Sequence, residues 1–330
     1  MHAVTPDTPD TPDTPAANTP ATPVPDEGES TTPHGPAPDF PARLLQDAAR
    51  LAREVPPLRP LLDAFVPLLE VRGRLRDSAP GWAGPLPRPT PDASIKGIPL
   101  LGGCGFQDVT AHLPTALAQL LPVMEGAFPA LAPEMAAVRH AIDTGGINIA
   151  ALAARDGRRA FTPPPGVSAE VLSFVADEAV RPFIERQARD LAPALRDMPW
   201  ARPVCPTCGG TPNFSRLQRE RDNSEFITGH GGVRFLHCAT CATEWRYKRV
   251  SCPGCGNEEP ERLGLLAAQE RPLERADTCE ACKRYILCVD ATECINLPVA
   301  EISALGMLPL ELQARQAGYL PLAPQPWSAG

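Results

Sequence analysis

Four Cys-x-x-Cys pairs follow one another in this 330-residue chain: Cys205/Cys208, Cys238/Cys241, Cys252/Cys255 and Cys279/Cys282. A two-residue spacer lets both sulfurs turn inward on one tight loop. Two such loops complete the four-thiolate tetrahedron that structural zinc prefers and that iron also accepts. The local runs "CPTCGG" and "CPGCGN" suit the turn. Proline fixes its start, and glycine after the second cysteine permits the positive φ that closes it.

The second and third pairs lie close together in "RFLHCATCATEWRYKRVSCPGCG", residues 234–256, with ten residues between them. The first and second are 29 residues apart and the third and fourth 23. Eight thiols make two complete sites. Sequential pairing closes the shorter loops at lower entropic cost. It puts Cys205, Cys208, Cys238 and Cys241 in site 1, and Cys252, Cys255, Cys279 and Cys282 in site 2. Nested and cross-braced pairings also satisfy the count. On sequential pairing "ATEWRYKRVS" is the last strand of one ribbon running into the first knuckle of the next. Each ion, iron or zinc, is worth on the order of 10 kcal/mol of folding free energy. A thioredoxin-like use of the pairs would need a helix N-terminus in an α/β pattern, which the surrounding sequence lacks.

Several elements must position these thiols. Residues 1–38 repeat "TPD" three times and continue in Pro, Thr, Ala, Asp and Glu, a composition expected to stay disordered. Residues 39–200 carry helical stripes. Leu44, Leu45, Ala48 and Leu51 form one, and Leu58, Leu61, Leu62, Phe65, Leu68 and Leu69 another, after the break at Pro56–Pro57. Leu113, Leu117, Leu120 and Leu121, then Leu131, Met135, Val138 and Ile142, continue the pattern. Ser168 can cap a further helix through Val171, Leu172, Val175, Ala179 and Phe183, which Pro182 is expected to kink or end. The expected architecture is α+β: an all-helical domain over 39–200, a four-cysteine ribbon over 201–248, a second over 249–290, and a C-terminal helix and extended tail over 291–330. Such ribbons have small cores and need a metal staple.

Composition excludes other classes. The formal charge is −8, and residues 201–300 balance 13 Lys/Arg against 13 Asp/Glu, so "WRYKR" (245–249) has no basic footprint behind it and nucleic acid is not expected as a partner. No apolar run reaches the roughly 18–20 residues of a membrane span. The N-terminus lacks the basic and apolar regions of a secretory signal, and the Arg158–Arg159 pair has no apolar run after it. A cytoplasmic location follows, where eleven cysteines point to metal rather than to disulfides. No nucleophile–base pair or carboxylate dyad stands at a catalytic spacing, so the chain is expected to be non-enzymatic, with no catalytic or organic-cofactor residues. "GGCGF" (102–106) lacks the Lys-Ser/Thr of a phosphate loop and reads as a tight turn. His237 reads as a strand-face residue, and His112 and His140 have no partner acid or base nearby. Cys104, Cys288 and Cys294 default to buried small hydrophobes, with Cys288 the candidate spare ligand.

The runs "CPTCGGTPNFSRL", "GVRFLHCATCATEWRYKRVSCPGCGNE" and "RADTCEACKRYI" closely resemble the formate dehydrogenase accessory protein FdhE family. The likeness extends more diffusely over about 40–322. It implies a helical domain before two rubredoxin-like modules with the eight cysteines named above as ligands. It also implies a cytoplasmic maturation factor that binds the molybdenum- or tungsten-containing catalytic subunit of a respiratory formate dehydrogenase before twin-arginine export, with Cys pairs that are needed for that binding and can hold iron. Trp245, Arg246 and Tyr247 are candidate partner contacts, since aromatic and Arg side chains are enriched at binding hot spots. A rubredoxin-like electron carrier and a zinc-ribbon nucleic-acid adaptor are the competing functions, and a homo-oligomer is compatible with the sequence. One departure from the family stands out: Lys283 follows the fourth knuckle where glycine is usual, so it must take a positive φ at a cost or the turn must differ.

Overall fold

A computed structural model of the chain describes residues 40–154, 162–219, 232–268, 270–325 and 327. The expected disordered tail at 1–38 and the Arg158–Arg159 pair lie outside them. The helical stripes become α1 (Phe40–Glu54), α2 (Arg59–Ser78), α3 (Pro91–Lys96), α4 (Leu113–Ala127), α5 (Ala132–Asp143), α6 (Ile149–Ala153) and α7 (Ala169–Leu195). The chain breaks between α1 and α2 at Pro56–Pro57 as read. Ser168 does cap α7: its Oγ accepts from Val171 N at 3.3 Å, and Glu134 of α5 accepts from Ser168 N and Oγ, both at 2.7 Å.

Pro182 does not end α7, which runs 27 residues, about 40 Å at the usual rise. The ring costs one backbone hydrogen bond. Val180, Phe183 and Ile184 beside it are all buried, so packing on both sides offsets that loss. The Pro- and Gly-rich segment 79–103 between α2 and α4 contains a short helix. Thr90 Oγ1 caps the one-and-a-half-turn α3, and Gly97 at φ 79° ends it.

After Pro203 the described residues form seven strands of one sheet: β1 (Pro212–Gln218), β2 (Val233–Cys238), β3 (Glu244–Tyr247), β4 (Leu263–Ala268), β5 (Arg271–Cys279), β6 (Arg284–Asp290) and β7 (Leu320–Pro321). Their order is β3-β2-β1-β6-β5-β4, with β7 on β6. Each ribbon is an antiparallel meander of the same plan, knuckle, strand, strand, knuckle, strand. The ribbons join through a parallel pairing of β1 with β6, from Phe214 opposite Leu287 to Leu217 opposite Asp290.

The C-terminal segment is two helices, α8 (Ala300–Gly306) and α9 (Leu308–Gln316), rather than one. Pro309 forces the break by starting the second. α8 is buried on two sides. Val299, Ile302 and Leu305 join the helical core, while Ala300, Ala304 and Met307 join the sheet's core of Phe214, Ala276, Tyr285 and Leu287. α1 approaches so closely that a Cβ at Gly306 would lie 3.0 Å from Leu51.

An ionic seam runs beside α8. Arg72 and Arg76 of α2, each about 3% exposed, meet Glu178 and Glu185 of α7 at 3.4 and 3.3 Å, and Arg72 also bonds Glu301 of α8. Burial opposes ionisation of Glu301, but Arg72, with His237 and Arg76 behind it, outweighs that and holds the carboxyl near 2.

Candidate metal centres

The knuckles share one local design. The N–H of the residue after each second cysteine donates to the carbonyl of the first: Gly209 to Cys205 at 2.9 Å, Ala242 to Cys238 at 3.2 Å, Gly256 to Cys252 at 2.8 Å and Lys283 to Cys279 at 2.9 Å. That turn needs a left-handed residue, and φ is 76°, 57°, 74° and 55° at these four positions. Lys283 therefore takes the glycine conformation instead of changing the turn, at roughly 1–2 kcal/mol. Ala242 does the same, a cost that sequence reasoning missed. Lys283 pairs with Glu280 and lies 5.4 Å from the Tyr319 ring centre, but Lys283 and Glu280 are exposed and such a pair is weak.

The turns bring the pairs together sequentially. Cys205, Cys208, Cys238 and Cys241 converge, as do Cys252, Cys255, Cys279 and Cys282, with the Sγ atoms of each group within 4.8 Å of one another. In the first group Cys205–Cys241 and Cys208–Cys238 are 3.6 Å apart and Cys208–Cys241 3.5 Å. In the second, Cys252–Cys282 and Cys255–Cys279 are 3.7 Å apart. Disulfide sulfurs sit at about 2.0 Å, whereas a tetrahedron with metal–sulfur bonds of about 2.3 Å puts its sulfurs about 3.8 Å apart. Backbone donors line the sulfurs: Gly210 N and Thr240 N reach Cys208 and Cys238 at 3.4 Å, and Gly254 N reaches Cys252 at 3.3 Å. A Cβ at Gly210 would lie 3.0 Å from the Cys238 sulfur, so glycine keeps this cradle open. Donor set and spacing fit one four-coordinate ion in each group.

Thiol acidity fits the same use. Without an ion, burial pushes Cys205 and Cys241 well up, whereas hydrogen bonds from Cys205, Cys208 and Cys241 hold Cys238 well down. In the second group burial raises Cys252 and Cys282; at Cys279 burial is opposed by the N–H groups of Cys282 and Ala281 and by the Cys252 and Cys255 thiols, which together lower it. In each second knuckle the first cysteine is thus the thiol that its surroundings shift down. Binding an ion displaces protons from the raised thiols, so affinity rises with pH.

The two groups differ in surroundings. Cys205, Cys238 and Cys241 are at most 2% exposed and join the helical core. The "GGCGF" region is the tight turn expected, closed by Gly105 N to Leu101 O at 2.9 Å. Its approach also clamps the first knuckle, for Leu100 N and Leu101 N donate to Pro206 O and Thr207 O at 2.7 and 2.9 Å. Thr207 and Thr243 hydroxyls bond at 2.9 Å across the two knuckles. In the second group Cys255 is exposed and Cys282 half-buried.

Trp245 and Tyr247, expected at a partner surface, are 3% and 8% exposed. Trp245 Nε1 donates to Arg202 O at 3.1 Å and Tyr247 Oη lies 3.3 Å from Ser251 Oγ, so both rings serve the core behind the first centre. Period-two alternation puts them on the inner face and leaves Arg246 exposed between them. His237 sits on β2 with Nδ1 3.1 Å from Asn213 Oδ1 and belongs to neither cluster. Cys288 is fully buried and also stands apart; burial raises its thiol. Cys104 and Cys294 are exposed, against the expectation of burial. His112 stacks on Phe183, and His140 is exposed.

Residues 204–249 match the sequence profile of the FdhE family's central domain. A "Protein FdhE homolog" of Aquifex aeolicus is 28% identical over 155 residues, 47% of this chain and 51% of that protein. Its namesake in Pseudomonas aeruginosa is 29% identical over 130 residues, 38% and 39% of the two chains, and that of Haemophilus influenzae strain Rd 30% over 112, 34% of each. The alignments span between about a third and a half of these relatives' own lengths. The crystal structure of the FdhE protein from P. aeruginosa superposes with a TM-score of 0.57 at 22% identity, covering 90% of this chain and 98% of that one, which shows a shared fold. The resemblance expected from the cysteine runs is therefore present in sequence and in fold.

Proposed function

We propose that this chain is a non-catalytic, cytoplasmic accessory factor that binds the catalytic subunit of a respiratory formate dehydrogenase and assists its maturation. The carrying observation is the pair of four-cysteine clusters, the first lying within the segment that matches the FdhE central domain. Cys205, Cys208, Cys238 and Cys241 would hold one iron or zinc ion and Cys252, Cys255, Cys279 and Cys282 another. The ions supply cross-links: each fixes two knuckles and thereby the register of the strands between them. None of the described helices is long and apolar enough to cross a membrane.

The test is a tagged pull-down from anaerobically grown cells, with a Cys238→Ser/Cys241→Ser control. Capture of the formate dehydrogenase catalytic subunit by the native chain and its loss in the control supports the reading. Absence of that subunit from the native sample refutes it.

The exposed Cys255 favours a second reading, rubredoxin-like electron exchange through an iron centre at the second site. That reading requires a reversible one-electron couple in anoxically prepared protein. Zinc in both sites under those conditions rules it out.

A further inference from the structure

The second ribbon carries a pocket of about 370 Å³ between β4, β5, β6 and the loop after β3. Four arginines line it, Arg234, Arg249, Arg275 and Arg284, against one carboxylate, Asp277. Asp277 accepts from Arg234 at 3.0 Å and from Arg275 at 2.7 Å. Among the described residues the Arg284 side chain reaches only the carbonyls of Pro321 and Leu322, at 3.3 and 3.5 Å. Arg249 is exposed and has no hydrogen bond or ion pair among the described residues. Arg234 is 3% exposed; its Nη1 donates to Ser251 O at 3.1 Å and its Nη2 lies 3.5 Å from Ser215 Oγ, and among the described residues its Nε has no hydrogen-bond partner.

Among the described residues that line the pocket, positive charge exceeds negative. A tetrathiolate centre at the adjoining Cys252 and Cys279 would carry a formal charge of about −2 and offset only part of it. Guanidinium forks are built for carboxylate oxygens. The rim is apolar, with Val250 57% and Leu265 61% exposed, so the site suits a carboxylate attached to apolar groups better than a bare inorganic anion.

The rim is also a sheet edge. Among the described residues β4 is the outermost strand and pairs only with β5. Its sequence, "LGLLAA", has none of the charges or prolines that guard open edges. Alternate backbone groups of β4 point away from β5, and Leu263 and Leu265 stand on the face that holds Cys279 and Asp277. An extended segment added at this edge would form main-chain bonds with β4 and drop alternate side chains toward the pocket.

We infer that the β4 edge and its arginine-lined pocket take up an extended segment of the client protein in which acidic and apolar residues alternate. This deepens, and rests on, the maturation-factor reading.

The test uses the full, metal-loaded chain and three probes: the blocked peptide Leu-Glu-Leu-Glu-Leu, its Lys-for-Glu counterpart, and glutarate. The acidic peptide should bind at least about tenfold more tightly than the Lys peptide, and should slow hydrogen exchange at residues 263–268. Arg249→Glu and Leu265→Glu, both at exposed positions, should each weaken binding by about tenfold with metal content unchanged. Equal binding of the two peptides, unchanged exchange in β4, or displacement by glutarate at the peptide's own concentration would overturn the inference, the last in favour of a small-anion site. Capture of the catalytic subunit equally well by native chain and both variants would also overturn it and leave the maturation reading standing. The expected peptide result with no subunit captured would keep the docking edge and remove the assigned client.

Discussion

The two cysteine clusters are built from the same parts and placed in opposite environments. In the first, three of four thiols are buried in the helical core and a loop from the helical half bonds directly to the knuckle. In the second, Cys255 is exposed, Cys282 half-buried, and the neighbouring face is an open pocket. The local turn is the same in all four knuckles, so the difference comes from what packs around them. An ion in the first would cross-link the core, and an ion in the second would staple the rim of the sheet, beside the arginine-lined pocket.

Substitutions at the ligands should separate the two most strongly. Each ion is worth on the order of 10 kcal/mol. Cys238→Ser should abolish cooperative unfolding of the whole chain, seen as lost near-ultraviolet dichroism and fast exchange in α2 and α7. Cys279→Ser should free only β4–β6 and leave the helices protected. Similar damage from both would erase the comparison.

The seam that ties α8 to the helices is the next lever. Arg72→Ala leaves Glu178 and Glu301 without their shared cation, and breaking such a buried pair costs about 3–5 kcal/mol. The urea midpoint should fall accordingly while both ions stay bound. Loss of the second ion alone would contradict the assignment of the seam to the core side.

Acidity sharpens the contrast further. Burial of Glu274, on β5, outweighs its pairing with Arg271 and raises its carboxyl to about 7. Its contribution to stability is complete below the usual carboxyl range near 4.5 and is lost as pH rises to about 7, on the order of 2–3 kcal/mol. Glu301, held near 2, acts in the opposite sense: its contribution is complete above about 4.5 and lost as pH falls toward 2. Glu274→Gln should remove the decline between pH 5 and 7 in urea titrations; an unchanged slope would refute this.

The smallest effect concerns the turns. Ala242→Gly and Lys283→Gly relieve positive φ and should each stabilise the chain by about 1 kcal/mol or less in thermal unfolding. A destabilising Lys283→Gly would show that the Glu280 and Tyr319 contacts outweigh the strain.

The sequence made the thiol groups legible because knuckle chemistry is local: spacing, proline and glycine specify a turn within six residues. Helices were legible for the same reason, as in the Ser168 cap and the Pro56–Pro57 break. What escaped was non-local. Nothing in either ribbon announces that β1 lies parallel to β6, since both strands are short and buried on both faces. Arg72 and Arg76 lie at i and i+4, and Glu178 and Glu185 at i and i+7, within apolar stripes, a signal of a buried ionic seam that could have been read. Trp245 and Tyr247 suggested a surface by type, while their period-two placement opposite Arg246 already pointed inward.

The most direct measurement is native mass spectrometry of the anoxically purified chain during slow chelation, with Cys252→Ser as reference. The account predicts two ions per native chain, lost in two steps, with the slower rate matching that of the single ion in the variant. One-step loss, or a Cys252→Ser ion that leaves at the faster rate, would contradict it.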